Sequence, residues 1–125
     1  MDAALQRLID QVQTARAVKG ALDIRGGATK AFYGEAPRGE PFDVRPLAGI
    51  SSYEPSELVV SVRAGTPLAE LEAVLAEKGQ CLPFEPPHFV THGSTGATVG
   101  GMVAAGLSGP PRASVGAVRD YVLGA

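Results

Sequence analysis

The sequence predicts an α+β fold built from short mixed β-strands with flanking helices. Three observations predict it. Two stretches carry apolar residues at helical spacing, several short runs are β-branched or alternate apolar with polar, and glycine and proline interrupt the order so often that a regular βαβ array is excluded. The chain has 125 residues, of which 45% are hydrophobic, enough to build a core.

Leu5, Leu8, Ile9 and Val12 fall at i, i+3, i+4 and i+7, so residues 3–18 read as an amphipathic helix that ends near Gly20. Residues 21–25 alternate as a short strand and run into Gly26-Gly27-Ala28-Thr29-Lys30. Phe42-Asp43-Val44 and residues 50–53 read as two further strands, the second ended by Glu54-Pro55. Residues 58–63 make the clearest strand, rich in valine. After Gly65, Thr66 is placed to cap a helix with Pro67 at its first position; Leu68, Leu71 and Leu75 share one face, and Lys78-Gly79 closes it. Residues 80–82 read as a short strand, and residues 83–87 as a stiff proline loop. Residues 93–98 are loop. Residues 100–107 include a short helix packed through small side chains, which Gly109-Pro110-Pro111 ends. The last residues, 121–125, read as a strand.

The charges are 11 basic and 13 acidic, a formal net of -2, without the clustered basic face that nucleic acid requires. The longest apolar stretch, residues 99–107, is too short to cross a bilayer. Residues 1–5 lack the basic and apolar regions of a secretory signal, which makes a cytoplasmic location the expectation. The single cysteine, Cys81, excludes an intramolecular disulfide and reads as a small packing residue. Glycine is in excess: 16 residues, roughly twice the usual share of about 7%. The glycines gather at Gly26-Gly27 and between residues 93 and 116, where backbone must approach something closely.

The strand leading into Gly26-Gly27-Ala28-Thr29 suits a pyrophosphate. Successive backbone N–H groups in a tight turn make a concave anion site, glycines admit the anion without a Cβ in the way, and Thr29, Arg25 and Lys30 add a hydroxyl and charge. The same residues suit an ordinary Gly-Gly turn. Neither G-x-G-x-x-G nor G-x-x-x-x-G-K-[ST] is present, which removes the Rossmann fingerprint and the P-loop. A second pairing sets the proline loop of Pro83, Glu85 and Pro86 beside Gly96-Ala97-Thr98-Val99-Gly100-Gly101. A rigid loop next to small residues builds a slot for a planar ring, or a plain packing contact. Near the end, Gly116 and Asp120 shape a last loop, with Asp120 read as an ion pair at the start of the final strand. His88 and His92 lie four apart, but Pro87 and Gly93 argue against the helix that would let them share a metal, and no partner ligand has suitable spacing. Gly93-Ser94-Thr95-Gly96 is not a G-x-S-x-G nucleophile elbow.

In this order the motifs resemble the vanillyl-alcohol-oxidase type, or p-cresol-methylhydroxylase (PCMH) type, of FAD-binding domain. The resemblance rests on residues 24–30, on residues 58–85, on Thr98-Val99-Gly100-Gly101 and on Gly116 with residues 119–124. Within that family the chain is most similar to the smaller flavin subunits of bacterial glycolate oxidases (glycolate dehydrogenases), through Ala31-Phe32, residues 47–53, residues 81–88 and residues 100–110. The resemblance implies that Arg25, Gly26, Gly27, Ala28, Thr29 and Lys30 hold the pyrophosphate, that Pro83, Glu85 and Pro86 border the cofactor, that Thr98, Val99, Gly100 and Gly101 line the flavin and its ribityl chain, and that Gly116 and Asp120 shape the last loop. It places a pyrophosphate-binding subdomain at residues 1–63 and the first part of a second, truncated subdomain at residues 64–125. Family members with covalent flavin carry His where this chain has Ala28, and doubly linked ones carry Cys where it has Gly96, so the FAD is expected to be non-covalent.

For the parent protein the resemblance implies a glycolate (2-hydroxy acid) oxidase or dehydrogenase in which hydride passes from the alcohol carbon to flavin N5. It implies a second flavin subunit and an iron–sulfur subunit as partners, with placement in the cytoplasm or at the inner membrane through them. No residue here is assigned a catalytic role, and the chain alone is expected to be inactive. Two alternatives stand beside this: a subunit-assembly fragment that binds no flavin by itself, and the FAD domain of another 2-hydroxy-acid or alcohol oxidase.

Overall fold

A computed structural model describes residues 2–90 and 94–125. Helix α1, Ala3–Val18, starts at Asp2, whose carboxylate accepts the Ala4 N–H at 2.9 Å, and stops at Lys19 in the left-handed conformation. Its Leu8 and Ala15 are buried and Val12 is half exposed, so the apolar stripe is real but narrow. Gln11 Nε2 donates to Pro41 O at 2.9 Å, and Arg63 donates to Asp2 at 2.7 Å, tying the helix to the strands that follow.

Strands β1, Leu22–Arg25, and β2, Glu40–Asp43, pair in parallel, with Ile24 opposite Phe42 and Arg25 opposite Asp43. Strands β3, Ile50–Glu54, and β4, Val59–Val62, form an antiparallel hairpin around a 3-10 turn at Pro55–Glu57. These are two separate two-stranded sheets, so the short mixed strands expected from the sequence are present. The strand expected at residues 42–44 begins earlier, at Glu40, because the Glu40 N–H donates to Ala21 O. Leu58 is not in its strand; it turns the chain in the left-handed conformation (φ 57°) and is exposed.

Helix α2, Leu68–Glu77, is the centre of the core. Leu68, Leu71 and Leu75 are buried together with Phe84, Ala97, Val99, Met102 and Val118, and Ile50, Tyr53, Val60 and Val62 of the hairpin pack against them. Each fully buried leucine contributes about 1.5–3 kcal/mol through area removed from water. Thr66 does not cap this helix. Its hydroxyl accepts the Gly49 N–H at 2.9 Å and donates to Gly49 O at 3.2 Å, fully buried, and Pro67 takes the cap position.

Helix α3, Val99–Ala105, is capped by Thr98, whose hydroxyl accepts the Gly101 N–H at 3.1 Å. A short α4, Arg112–Val115, and a 3-10 turn, Val118–Asp120, complete the described chain.

Three sequence expectations are corrected. Residues 80–82 form no strand: the Gln80 N–H closes α2 on Leu75 O, and its side chain bonds Pro55 O and the Tyr53 hydroxyl, so no strand edge is offered. Cys81 is exposed rather than packed. Residues 121–125 form no strand either. Tyr121 folds its ring against Phe84, centroids 5.2 Å apart, and its hydroxyl donates to Val115 O, which ends the chain in a turn. Among the described residues no helix is long and apolar enough to cross a membrane.

Candidate functional site

The glycine loop leaves β1 and crosses beneath residues 94–98. A Cβ on Gly27 would overlap Gly96 O and lie 2.7 Å from Gly96 C; one on Gly26 would overlap Thr98 Oγ1 and lie 3.2 Å from its Cγ2. The Thr95 N–H donates to Gly27 O at 2.9 Å. The two glycine-rich segments, 70 residues apart, are therefore stitched together, and glycine is required for chain to meet chain. Ala28 holds the left-handed conformation (φ 58°), which turns the loop into a concave bend. Among the described residues, the N–H groups of Gly26, Gly27, Ala28, Thr29 and Lys30 have no hydrogen-bond acceptor.

This loop borders a hollow of about 260 Å³, lined by Arg25, Gly26, Gly27 and Ala28 on one side and by Pro41, Asp43, Arg45 and Thr95 on the other. A second hollow of about 290 Å³ adjoins it, with Gly96, Ala97, Thr98, Gly65 and Glu70 in its wall. Arg45 and Thr95 line both.

The electrostatics are balanced. Arg25 is paired with Asp23. Arg45 grips Asp43 through Nε at 2.9 Å and Nη2 at 2.7 Å, and reaches Thr95 Oγ1 through Nη1 at 3.3 Å. That hydrogen-bonded arginine holds the Asp43 carboxyl below the usual carboxylate range. Lys30 is pulled below the ordinary lysine range by burial, with its Nζ 5.7 Å from the Phe89 ring centre.

Of the residues singled out from the sequence, Arg25, Gly26, Gly27 and Ala28 line the first hollow and Thr98 the second. Thr29 is buried beneath the loop, and Lys30 faces Phe89. Val99 lies in the core, and the N–H groups of Val99, Gly100 and Gly101 are bonded to Thr66 O, Ala64 O and the Thr98 hydroxyl. Pro83, Glu85 and Pro86 line neither hollow; Glu85 is left-handed (φ 45°) and lies against Gly109, where an added Cβ would come 2.7 Å from the Glu85 Cβ. Gly116 and Asp120 also line neither. Asp120 does not start a strand: its carboxylate accepts the Ala117 N–H at 2.8 Å and closes the turn around Gly116.

His88 Nε2 lies 2.9 Å from the Glu72 carboxylate, and His92 lies outside the described residues. Among the described residues no group of three or more His, Cys, Asp or Glu is placed to hold a metal. Asp43, Arg45, Thr95 and Glu70 were not singled out from the sequence. The Asp-x-Arg spacing at the end of β2 was the one signal for the first two, since side chains two apart in extended chain share a face.

A description of the FAD-binding domain matches residues 4–125 of the chain. The chain belongs to the FAD-binding domain family. It is 50% identical over 119 residues to the glycolate oxidase subunit GlcE of Escherichia coli (strain K12), an alignment that takes in 95% of this chain and 33% of that protein. The chain thus spans about a third of the length of the curated relative it matches. No solved structure matches it. The resemblance read from the motifs is borne out at the level of family and cofactor, FAD.

Proposed function

We propose that this chain supplies the non-covalent pyrophosphate grip and the start of the flavin-side wall for FAD in a subunit of a glycolate (2-hydroxy acid) oxidase or dehydrogenase. The observation that carries it is that Gly26, Gly27 and Ala28, whose N–H groups have no acceptor among the described residues, border a concave hollow in a chain of the FAD-binding domain family. A diphosphate presents many acceptor oxygens, and backbone donors without partners are what such a group satisfies. Residues 1–63 provide this grip in the proposal, and residues 64–125 most of the wall of the second hollow. Bound FAD would accept hydride from the alcohol carbon at its N5; this chain's share is binding and orientation.

Thr98, Val99, Gly100 and Gly101 act in two ways in this reading. Thr98 faces the second hollow; Val99 and Gly100 hold α3 against Thr66 and Ala64, and the Gly101 N–H holds the Thr98 hydroxyl, so that Thr98 stays in place. Ala28 and Gly96 offer no nucleophile to a flavin, which supports non-covalent binding. A 260 Å³ hollow takes a pyrophosphate but not a whole dinucleotide, since sites for drug-sized ligands run to about 300–1,000 Å³. Pro83, Glu85, Pro86, Gly116 and Asp120 are proposed to act through the backbone they set. The glycolate oxidase subunit that the chain resembles points to partner subunits, a second flavin subunit and an iron–sulfur subunit among them, and to a cytoplasmic or partner-mediated inner-membrane location.

The test is an absorption spectrum of the complete polypeptide after incubation with FAD and gel filtration, alongside a Gly26→Val variant. A flavin band that co-elutes with the wild type and is lost in a variant whose circular dichroism is unchanged supports the reading. Wild-type protein that elutes without flavin sinks it, and leaves an assembly role for this chain.

A further inference from the structure

Arg45 stands where the two hollows meet, and this inference rests on the FAD reading above. Its guanidinium is fixed from two sides. Asp43 takes Nε and one Nη2 proton, and Thr95 Oγ1 takes one Nη1 proton. A guanidinium has five N–H donors, so two remain for a ligand. Thr95 in turn donates its backbone N–H to Gly27 O, so the arginine is held in register with the glycine loop. The bonds to Asp43 and Thr95 hold the side chain in place, which removes rotamer entropy that a free arginine would lose on binding.

The surroundings determine what those two donors meet. The first hollow offers unbonded N–H groups and suits phosphate. The second carries the Glu70 carboxylate, which repels phosphate and accepts from hydroxyl or ring N–H groups. A dinucleotide that lays its pyrophosphate in the first and its polyol in the second passes its flavin-side phosphate across Arg45. We propose that Arg45 is a further cofactor-binding residue, donating to the phosphate at this junction, with Asp43 and Thr95 as its positioning residues.

The experiment titrates the complete polypeptide, stripped of flavin, with FAD at several salt concentrations, for wild type, Arg45→Met and Arg45→Lys. A lost charge-assisted contact corresponds to about 10- to 100-fold in Kd. Arg45→Met is expected to show that weakening, together with a flatter dependence of Kd on salt, because one screened charge contact is gone. Arg45→Lys, which keeps the charge and loses the fork, is expected to weaken binding less and to keep the wild-type salt dependence. Arg45→Gln carries the same comparison should the methionine variant not fold. Unchanged affinity in these variants, or weakening with the wild-type salt dependence in Arg45→Met, overturns the inference while leaving the FAD reading intact. Wild-type protein that takes up no FAD overturns both.

Discussion

Replacing Gly27 with alanine tests the contact on which the whole site rests. The new Cβ would overlap Gly96 O and lie 2.7 Å from Gly96 C, and restoring ordinary non-bonded separations of about 3.5–4.0 Å moves the two loops apart by more than about an ångström. The Thr95 N–H···O Gly27 bond, 2.9 Å long, does not survive that shift. Overpacking costs about 1–3 kcal/mol and the lost hydrogen bond about 1 kcal/mol, so destabilisation of about 2–4 kcal/mol is expected. For a chain of 125 residues this lowers Tm by roughly 8–16 °C, at about 4 °C per kcal/mol. Thermal unfolding of the flavin-free protein followed by circular dichroism measures it, with Gly124→Ala as the control, because nothing lies within 4 Å of a Cβ there. A Gly27→Ala protein that melts within about 2 °C of wild type would show that the loops are not in contact, and the placement of Arg45 and Thr95 would fall with it. The flavin-free protein is the right object, since the clash is between two segments of the chain and needs no ligand.

Three further outcomes are expected. Thr66→Val should lower stability by about 1–3 kcal/mol in a denaturant titration, because it leaves the Gly49 N–H unpaired beside a buried methyl, while Gly49 O keeps the Arg63 N–H. Thr98→Ala should cost about 1 kcal/mol through the lost α3 cap, read from the same titration. Asp43 has a native pKa depressed chiefly by the Arg45 hydrogen bonds, so its contribution is present above the unfolded value of about 3.9 and is lost as pH falls through the lower native value; an Asp43→Asn protein should therefore show a weaker decline in Tm than wild type as pH falls below about 4.

Helix α1 was legible residue for residue, since Leu5, Leu8, Ile9 and Val12 repeat at the helical period and Gly20 follows. Helix α2 was legible for the same reason, but its cap was not. Thr66 before Pro67 has the chemistry of a cap, and only the arrival of Gly49 from 17 residues earlier gives its hydroxyl better partners. The strands misread at residues 80–82 and 121–125 have strand-like composition, yet a strand exists only where another edge is in reach. Gln80 and Tyr121 spend their polar groups on Pro55, Tyr53 and Val115 instead.

By itself the sequence determined the elements whose signals are local: helical periods, the glycine and proline breaks, and a glycine loop after a strand. Those depend on residues within a few positions of one another. The tertiary structure decided which distant pieces meet: Gly27 against Gly96, Thr66 on Gly49, and Arg45 between Asp43 and Thr95 at the junction of two hollows. Apart from the local Asp43–Arg45 pair, such contacts join residues 17 to about 70 positions apart, and no local periodicity encodes them, because they arise from how the hairpin and the leucine face of α2 bury each other.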